Sequence, residues 1–96
     1  MHSQLSVSEI NIELKTVPDW HRDKDQIRRT LEFETFMLAI AFINHIADLA
    51  ESADHHPEIF NVFNRVELVL TTHDANGLTR KDFELAREID LVVDFI

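Results

Sequence analysis

Apolar residues recur with helical spacing in two stretches of the chain and alternate with polar residues in several others. From about Glu34 to Ser52, Phe36, Ile40, Ile43, Ala47 and Ala50 repeat at three- and four-residue steps. Leu38, Phe42, Ile46 and Leu49 add a second apolar row beside the first. The polar stripe left over (Thr35, His45, Asp48 and Ser52) is narrow. The pattern therefore predicts a helix covered on most sides, one side packing on a sheet and the rest meeting another subunit. Asn44, His45 and Asp48 interrupt the run, which marks a buried helix and not a membrane span. A second helix is predicted from Thr79 to about Ile96, with Leu85, Ile89, Val92 and Ile96 on one face.

Strand signals fill the remaining segments. Trp20–His21 and Gln26–Phe33 are predicted strands, joined by a charged turn at Arg22–Asp25. On the second, Ile27, Arg29, Leu31 and Phe33 share a face, which leaves one basic residue among apolar ones. Glu58–Phe63 and Arg65–Thr72 form a second predicted pair, with a turn near Asn61 or Asn64. Val66, Leu68 and Leu70 alternate there with Arg65, Glu67 and Thr71, as in a strand with one buried face. Residues 5–14 fit a short helix opened by Ser6 with Glu9 three residues on, and also fit a strand; Pro18 ends the element. Between the long helix and the second strand pair stands His55-His56-Pro57, where the proline forces an extended predecessor. Asn76-Gly77 signals a turn before the last helix. Strands in adjacent pairs with helices around them predict an α+β fold: an antiparallel sheet with helices packed on one face.

Composition narrows the function classes. A chain of 96 residues allows one domain, taken as 1–96, and its modest core would gain from oligomerisation. Gly77 is the sole glycine, and Pro18 and Pro57 the only prolines, in keeping with long elements and few loops. The absence of Cys excludes disulfides, thiolate catalysis and Cys-type zinc sites, and fits a reducing, cytoplasmic setting. Nine basic against eighteen acidic residues give a net charge of -9, which disfavours nucleic acid and anionic membrane surfaces. Met1 to Glu13 has no basic start followed by an apolar run, so it does not read as a signal peptide.

Three of the six histidines lie where elements end. His55 and His56 start a strand after a helix, and His73 ends a strand before a turn. Side chains at such places can converge on a ligand while the scaffold stays rigid. Imidazoles exchange protons near neutral pH, so two of them can serve one reaction as base and acid. Plainer readings exist for each candidate. His2, His21 and His45 read as polar surface residues. Neighbours on an extended chain point to opposite faces, so His55 and His56 need not share a site. A zinc site from His55, His56 and His73 is conceivable, but strand ligands usually alternate and no Cys is available, so no metal is expected. Thr79-x-x-Asp82 matches a capping box, Glu51 an ordinary helix-surface acid, and Phe63 a core residue. Spacing alone thus points to a histidine-bearing α+β domain with the means for acid/base chemistry.

The segment from Glu51 to Asp82 resembles the signature of the pterin-4a-carbinolamine dehydratases. In that signature an acidic residue is followed after three spacers by His-His-Pro. An aromatic, then a His or Trp, then an Asp complete it. Here these are Glu51, His55, His56, Pro57, Phe63, His73 and Asp82. Asp54 and Glu58 beside the pair, Asn61-Val62, Thr72 and Gly77-Leu78-Thr79 agree as well, and Trp20 and Phe33 fall where the family has similar residues. Phe63 stands where a Tyr is frequent.

The resemblance implies a four-stranded antiparallel sheet and a homodimer or homotetramer. It implies dehydration of 4a-hydroxytetrahydropterin to the quinonoid dihydropterin, in the recycling of tetrahydrobiopterin used by aromatic amino-acid hydroxylases. The pterin is substrate, and no cofactor is expected. Carried over, His55 and His73 are the acid/base pair and His56 a binding or auxiliary acid/base residue. Asp54, Thr72 and Asp74 lie near the pterin, and Pro57 sets the direction of the chain. Glu51 is expected to orient His55 by accepting a ring N–H, with Asp82 in a supporting place. Some relatives of this fold act instead as protein-binding modules, as transcriptional coactivators or carboxylase assembly factors. The three intact histidines favour the enzyme.

Overall fold

The structure, a computed structural model, describes residues 3–96; His2, read above as a surface histidine, lies outside the described residues. The elements are α1 (Val7–Leu14), β1 (His21–Asp23), β2 (Gln26–Glu32), α2 (Phe36–Ala53), β3 (Glu58–Val62), β4 (Arg65–Leu70) and α3 (Arg80–Phe95). A single 3-10 turn, His73–Ala75, separates β4 from α3. The four strands form one antiparallel sheet in the order β1-β2-β4-β3. The expected α+β architecture is therefore present.

The ambiguous segment 5–14 is helical because its start is doubly capped. The Ser6 backbone N–H donates to the Glu9 carboxylate at 2.8 Å, and the Glu9 N–H donates to the Ser6 hydroxyl oxygen at 3.2 Å. The Ser6 backbone N–H, and then its hydroxyl, hold the Glu9 carboxyl below the usual carboxylate range. That contribution to folding is present above the unfolded pKa and is lost as pH falls through the lowered one. The helix stops at Leu14, ahead of Pro18.

Two predicted strand boundaries move. Trp20 precedes β1 and is buried, and Arg22 and Asp23 belong to the strand, so the turn is Lys24–Asp25 with Lys24 in the left-handed region. The β3–β4 turn is at Phe63–Asn64. Phe63 adopts a φ of 51° there and is 66% exposed, so its plainer reading as a core residue does not hold.

The core lies on one side of the sheet. Ile27 of β2 and Val66, Leu68 and Leu70 of β4 meet Ala39, Phe42 and Ile46 of α2 and Phe83, Leu85, Ala86 and Ile89 of α3. The alternation read in β4 is thus the alternation between this core and the opposite face, where Arg65 is exposed and Glu67 half-buried, although Val69 there is buried as well. Arg29, the basic residue on that inner row, is neutralised by Asp90 of α3. Ile96, placed on the buried face of the last helix by its spacing, is exposed beyond the end of α3.

Helix α2 is covered less than its two apolar rows suggest. Ala39, Phe42, Ile46 and Ala50 form its buried stripe, whereas Phe36, Met37, Leu38 and Ala47 are exposed. By length and composition α2 could cross a membrane, yet Ala39, Phe42 and Ile46 of that stripe are packed into the protein core.

Candidate active site

The end of α2 aims the histidine pair. Asp54 takes up a left-handed conformation (φ 50°), which a short polar side chain tolerates, and closes the helix. The His55 N–H then bonds back to the Ala50 carbonyl at 3.1 Å. This reversal sends His55 inward, where it is buried, and leaves His56 exposed.

Each histidine has its own carboxylate. His55 Nε2 lies 2.6 Å from Asp82 Oδ1, and His56 Nε2 lies 2.5 Å from Glu51 Oε2. The expectation that Glu51 orients His55 is therefore corrected. The turn at Asp54 places His56, and not His55, over the last turn of α2 where Glu51 projects.

Asp82 is fully buried and every bond around it has a direction. Its Oδ2 accepts from the Thr72 hydroxyl at 2.8 Å and from the Thr79 backbone N–H at 2.9 Å. Thr72 has spent its only proton on this bond, so the 2.8 Å contact between the Thr72 and Thr79 hydroxyls is a donation from Thr79. An ionised carboxylate only accepts, hence Oδ1 takes the proton of His55 Nε2. The reading of Asp82 as a capping residue is correct but incomplete. It caps α3 with one oxygen and fixes the His55 tautomer with the other. His55 Nδ1 has no hydrogen-bond partner among the described residues.

An open cleft of about 190 Å³ is lined by Asp54, His55, His56, Thr71, Thr72, His73, Asp74 and Lys81. Six of the seven residues expected around a pterin thus lie together. Pro57 does not line the cleft, and neither does Phe63, the aromatic of the motif. Thr71 and Lys81 were not foreseen. Lys81 Nζ donates to the Asp54 carbonyl at 3.2 Å, joining the start of α3 to the end of α2. Its only sequence signal is its place between the two capping residues. His21 and His45 are exposed and lie outside the cleft. No group of three or more His, Asp or Glu side chains is arranged to hold a metal ion among the described residues.

Comparison with known proteins places the chain in a family. The profile of the family described as pterin 4 alpha carbinolamine dehydratase matches residues 3–92. A protein of Chloroflexus aurantiacus named "Putative pterin-4-alpha-carbinolamine dehydratase" is 51% identical over 94% of this chain and 97% of its own length. A Picosynechococcus protein with the same name is 44% identical over 94% and 98%. Among solved structures, the transcriptional coactivator/pterin dehydratase from Brucella melitensis superposes with a TM-score of 0.90 at 37% identity, covering 94% of this chain and 98% of the other. A pterin dehydratase-like RuBisCO assembly factor of the alpha-carboxysome shares the fold, with a TM-score of 0.64 at 19% identity over 76% and 84% of the two chains. Matched over nearly its whole length, the chain belongs to the pterin 4 alpha carbinolamine dehydratase family.

Proposed function

We propose that the protein dehydrates 4a-hydroxytetrahydropterin to quinonoid dihydropterin and water by histidine acid/base catalysis, as a step of tetrahydrobiopterin recycling. The observation that carries the reading is the joint placement of Asp82-held His55 and of His73 on one cleft. In the reaction a base takes the N5 proton, the N5 electron pair forms the N5–C4a double bond, and the C4a–O bond breaks. The departing hydroxide receives a proton and leaves as water, so no oxidant or reductant is needed.

His55 suits the base. With its Nε2 proton committed to Asp82, Nδ1 is the ring nitrogen free to accept a proton. The Asp82 carboxylate holds the ring in that tautomer and faces the positive charge that arrives on it. His73 is then the acid for the leaving hydroxyl, and His56 assists or binds. Asp54, Thr72 and Asp74 were expected at the ring edge; Thr71 and Lys81 add a hydroxyl and an ammonium to the same wall.

The test is the loss of 4a-hydroxytetrahydropterin, followed by ultraviolet absorbance with and without the protein. Saturable acceleration over the spontaneous reaction is the expected result. A rate equal to the spontaneous one overturns the proposal and points to the protein-binding role of the fold.

Self-association into a homodimer or homotetramer is part of this reading. β3 is an edge strand, and Phe60 and Val62 on it, Phe63 beside it and Phe36, Met37 and Leu38 at the start of α2 are all exposed. An unpaired edge bordered by apolar side chains invites pairing with another chain. Light scattering at micromolar concentration is expected to give the mass of two or four chains. The mass of one chain would remove the idea.

A further inference from the structure

We propose that Gln4, in the segment ahead of α1, is a positioning residue for the cleft: its side-chain amide latches the turn that carries His73 and Asp74. This rests on His73 acting in the reaction proposed above. The two histidines are held in different ways. His55 is fixed through its ring by Asp82, whereas the His73 side chain is exposed and makes no hydrogen bond among the described residues. The place of its imidazole is therefore set by the backbone of the turn.

That turn is closed on itself. The Thr72 N–H donates to the Gly77 carbonyl at 3.1 Å, and the Gly77 N–H donates back at 3.3 Å. Ala75 N–H donates to the Thr72 carbonyl at 3.1 Å and Asn76 N–H to the His73 carbonyl at 3.0 Å. The carbonyls of Ala75 and Asn76 accept no backbone N–H, and Gln4 Nε2 donates to both, at 3.0 and 2.9 Å. The neighbouring Leu5 N–H donates to the Leu78 carbonyl at 2.8 Å, which anchors the segment one residue further on.

Gly77 supplies an independent observation. Its φ is not positive, so the backbone does not require glycine; the left-handed position of the turn is Asn76, at φ 56°. An added side chain at this position would instead meet Gln4. A Cβ on Gly77 would stand 2.8 Å from Gln4 Nε2 and 3.0 Å from its Cδ and Cγ. The sole glycine of the chain thus lies directly beneath the side chain that bridges the turn.

The experiment compares Gln4→Glu and Gln4→Lys with the unaltered chain. Glutamate keeps the shape but sets an acceptor against two carbonyls, whereas lysine restores a donor. Gln4→Glu is expected to speed amide exchange at Ala75, Asn76 and Gly77 about tenfold, as for the loss of one or two hydrogen bonds. Amides of α2 and β4 should stay as protected as before. The dehydration rate should fall several-fold in kcat, with both effects recovered in Gln4→Lys. Gly77→Ala should disturb the same amides by displacing Gln4, and should add little to the disturbance in Gln4→Ala, where the latch is already gone. Unchanged exchange in Gln4→Glu overturns the latch, and faster exchange with unchanged kcat overturns its positioning role. Absence of dehydration by the unaltered chain refutes the proposed reaction instead, and the exchange measurement still decides the latch.

Discussion

His55→Ala and His73→Ala are each expected to lower kcat for dehydration by about 10²- to 10⁴-fold, the range for losing a positioned general acid or base. The two substitutions should differ in everything else. His73 is exposed and its side chain has no partner among the described residues, so His73→Ala should fold as the parent does and show an effect on rate alone. His55 is buried against Asp82, and truncating it leaves that carboxylate with the Thr72 and Thr79 bonds only. His55→Ala should therefore also lose stability, as a buried group does when one partner is removed. Asp82→Asn separates the two effects. It preserves the volume but can present an amide N–H to His55 Nε2, which reverses the tautomer and removes the free Nδ1 lone pair. Its kcat should fall with little change in KM. Because the acid and the base serve one transition state, the double variant His55→Ala with His73→Ala should be little slower than the slower single variant. Retention of more than a tenth of kcat in both single variants would show that these imidazoles are not the acid and base.

How far the site could be read from the chain depended on the range of the interactions. Pro57 announced the end of α2, and the alternation of Val66, Leu68 and Leu70 announced one buried face, because both signals act within a few residues. The convergence of His55, His56 and His73 followed from a motif, not from periodicity. The choice of carboxylate for each histidine was not legible. It turns on the left-handed Asp54, a single backbone conformation that reverses which imidazole faces Glu51. Asp82 carried a local signal as a cap, and that signal concealed its reach to His55 across 27 positions. Gln4 had no signal at all, since its partners are carbonyls 71 and 72 positions away. Helix α2 shows the opposite failure. Its spacing defines two apolar rows, but periodicity does not say which row the chain itself covers, and Phe36 and Leu38 lie outside.

Arg29 was the one residue that the strand pattern left unexplained, and it marks the largest expected effect on stability. Asp90→Ala should cost about 2–3 kcal/mol, below the ~3–5 kcal/mol for breaking a fully buried ion pair because both side chains keep some exposure. Arg29 points to the core side of β2, with a side chain 12% exposed. Asp90 Oδ1 accepts from Arg29 Nη1 at 2.5 Å and from the indole Nε1 of buried Trp20 at 2.8 Å. One carboxylate oxygen thus ties together α3, β2 and the segment before β1. Without it the guanidinium keeps only Asp19, at 3.6 Å and largely in solvent, and the indole N–H has no partner among the described residues. The loss is a large part of the roughly 5–15 kcal/mol that holds a domain of ordinary stability. The exposed pairs of Arg80 with Glu9 and Glu13 should by contrast contribute little, since solvent screens them. Urea unfolding of Asp90→Ala and Arg80→Ala checks both expectations. The physical cause is tested by the double variant Arg29→Met with Asp90→Leu. Removing both charges together should recover much of the loss, because the penalty comes from a stranded charge and not from the absent attraction. A double variant no more stable than Asp90→Ala would instead assign the effect to packing around Trp20.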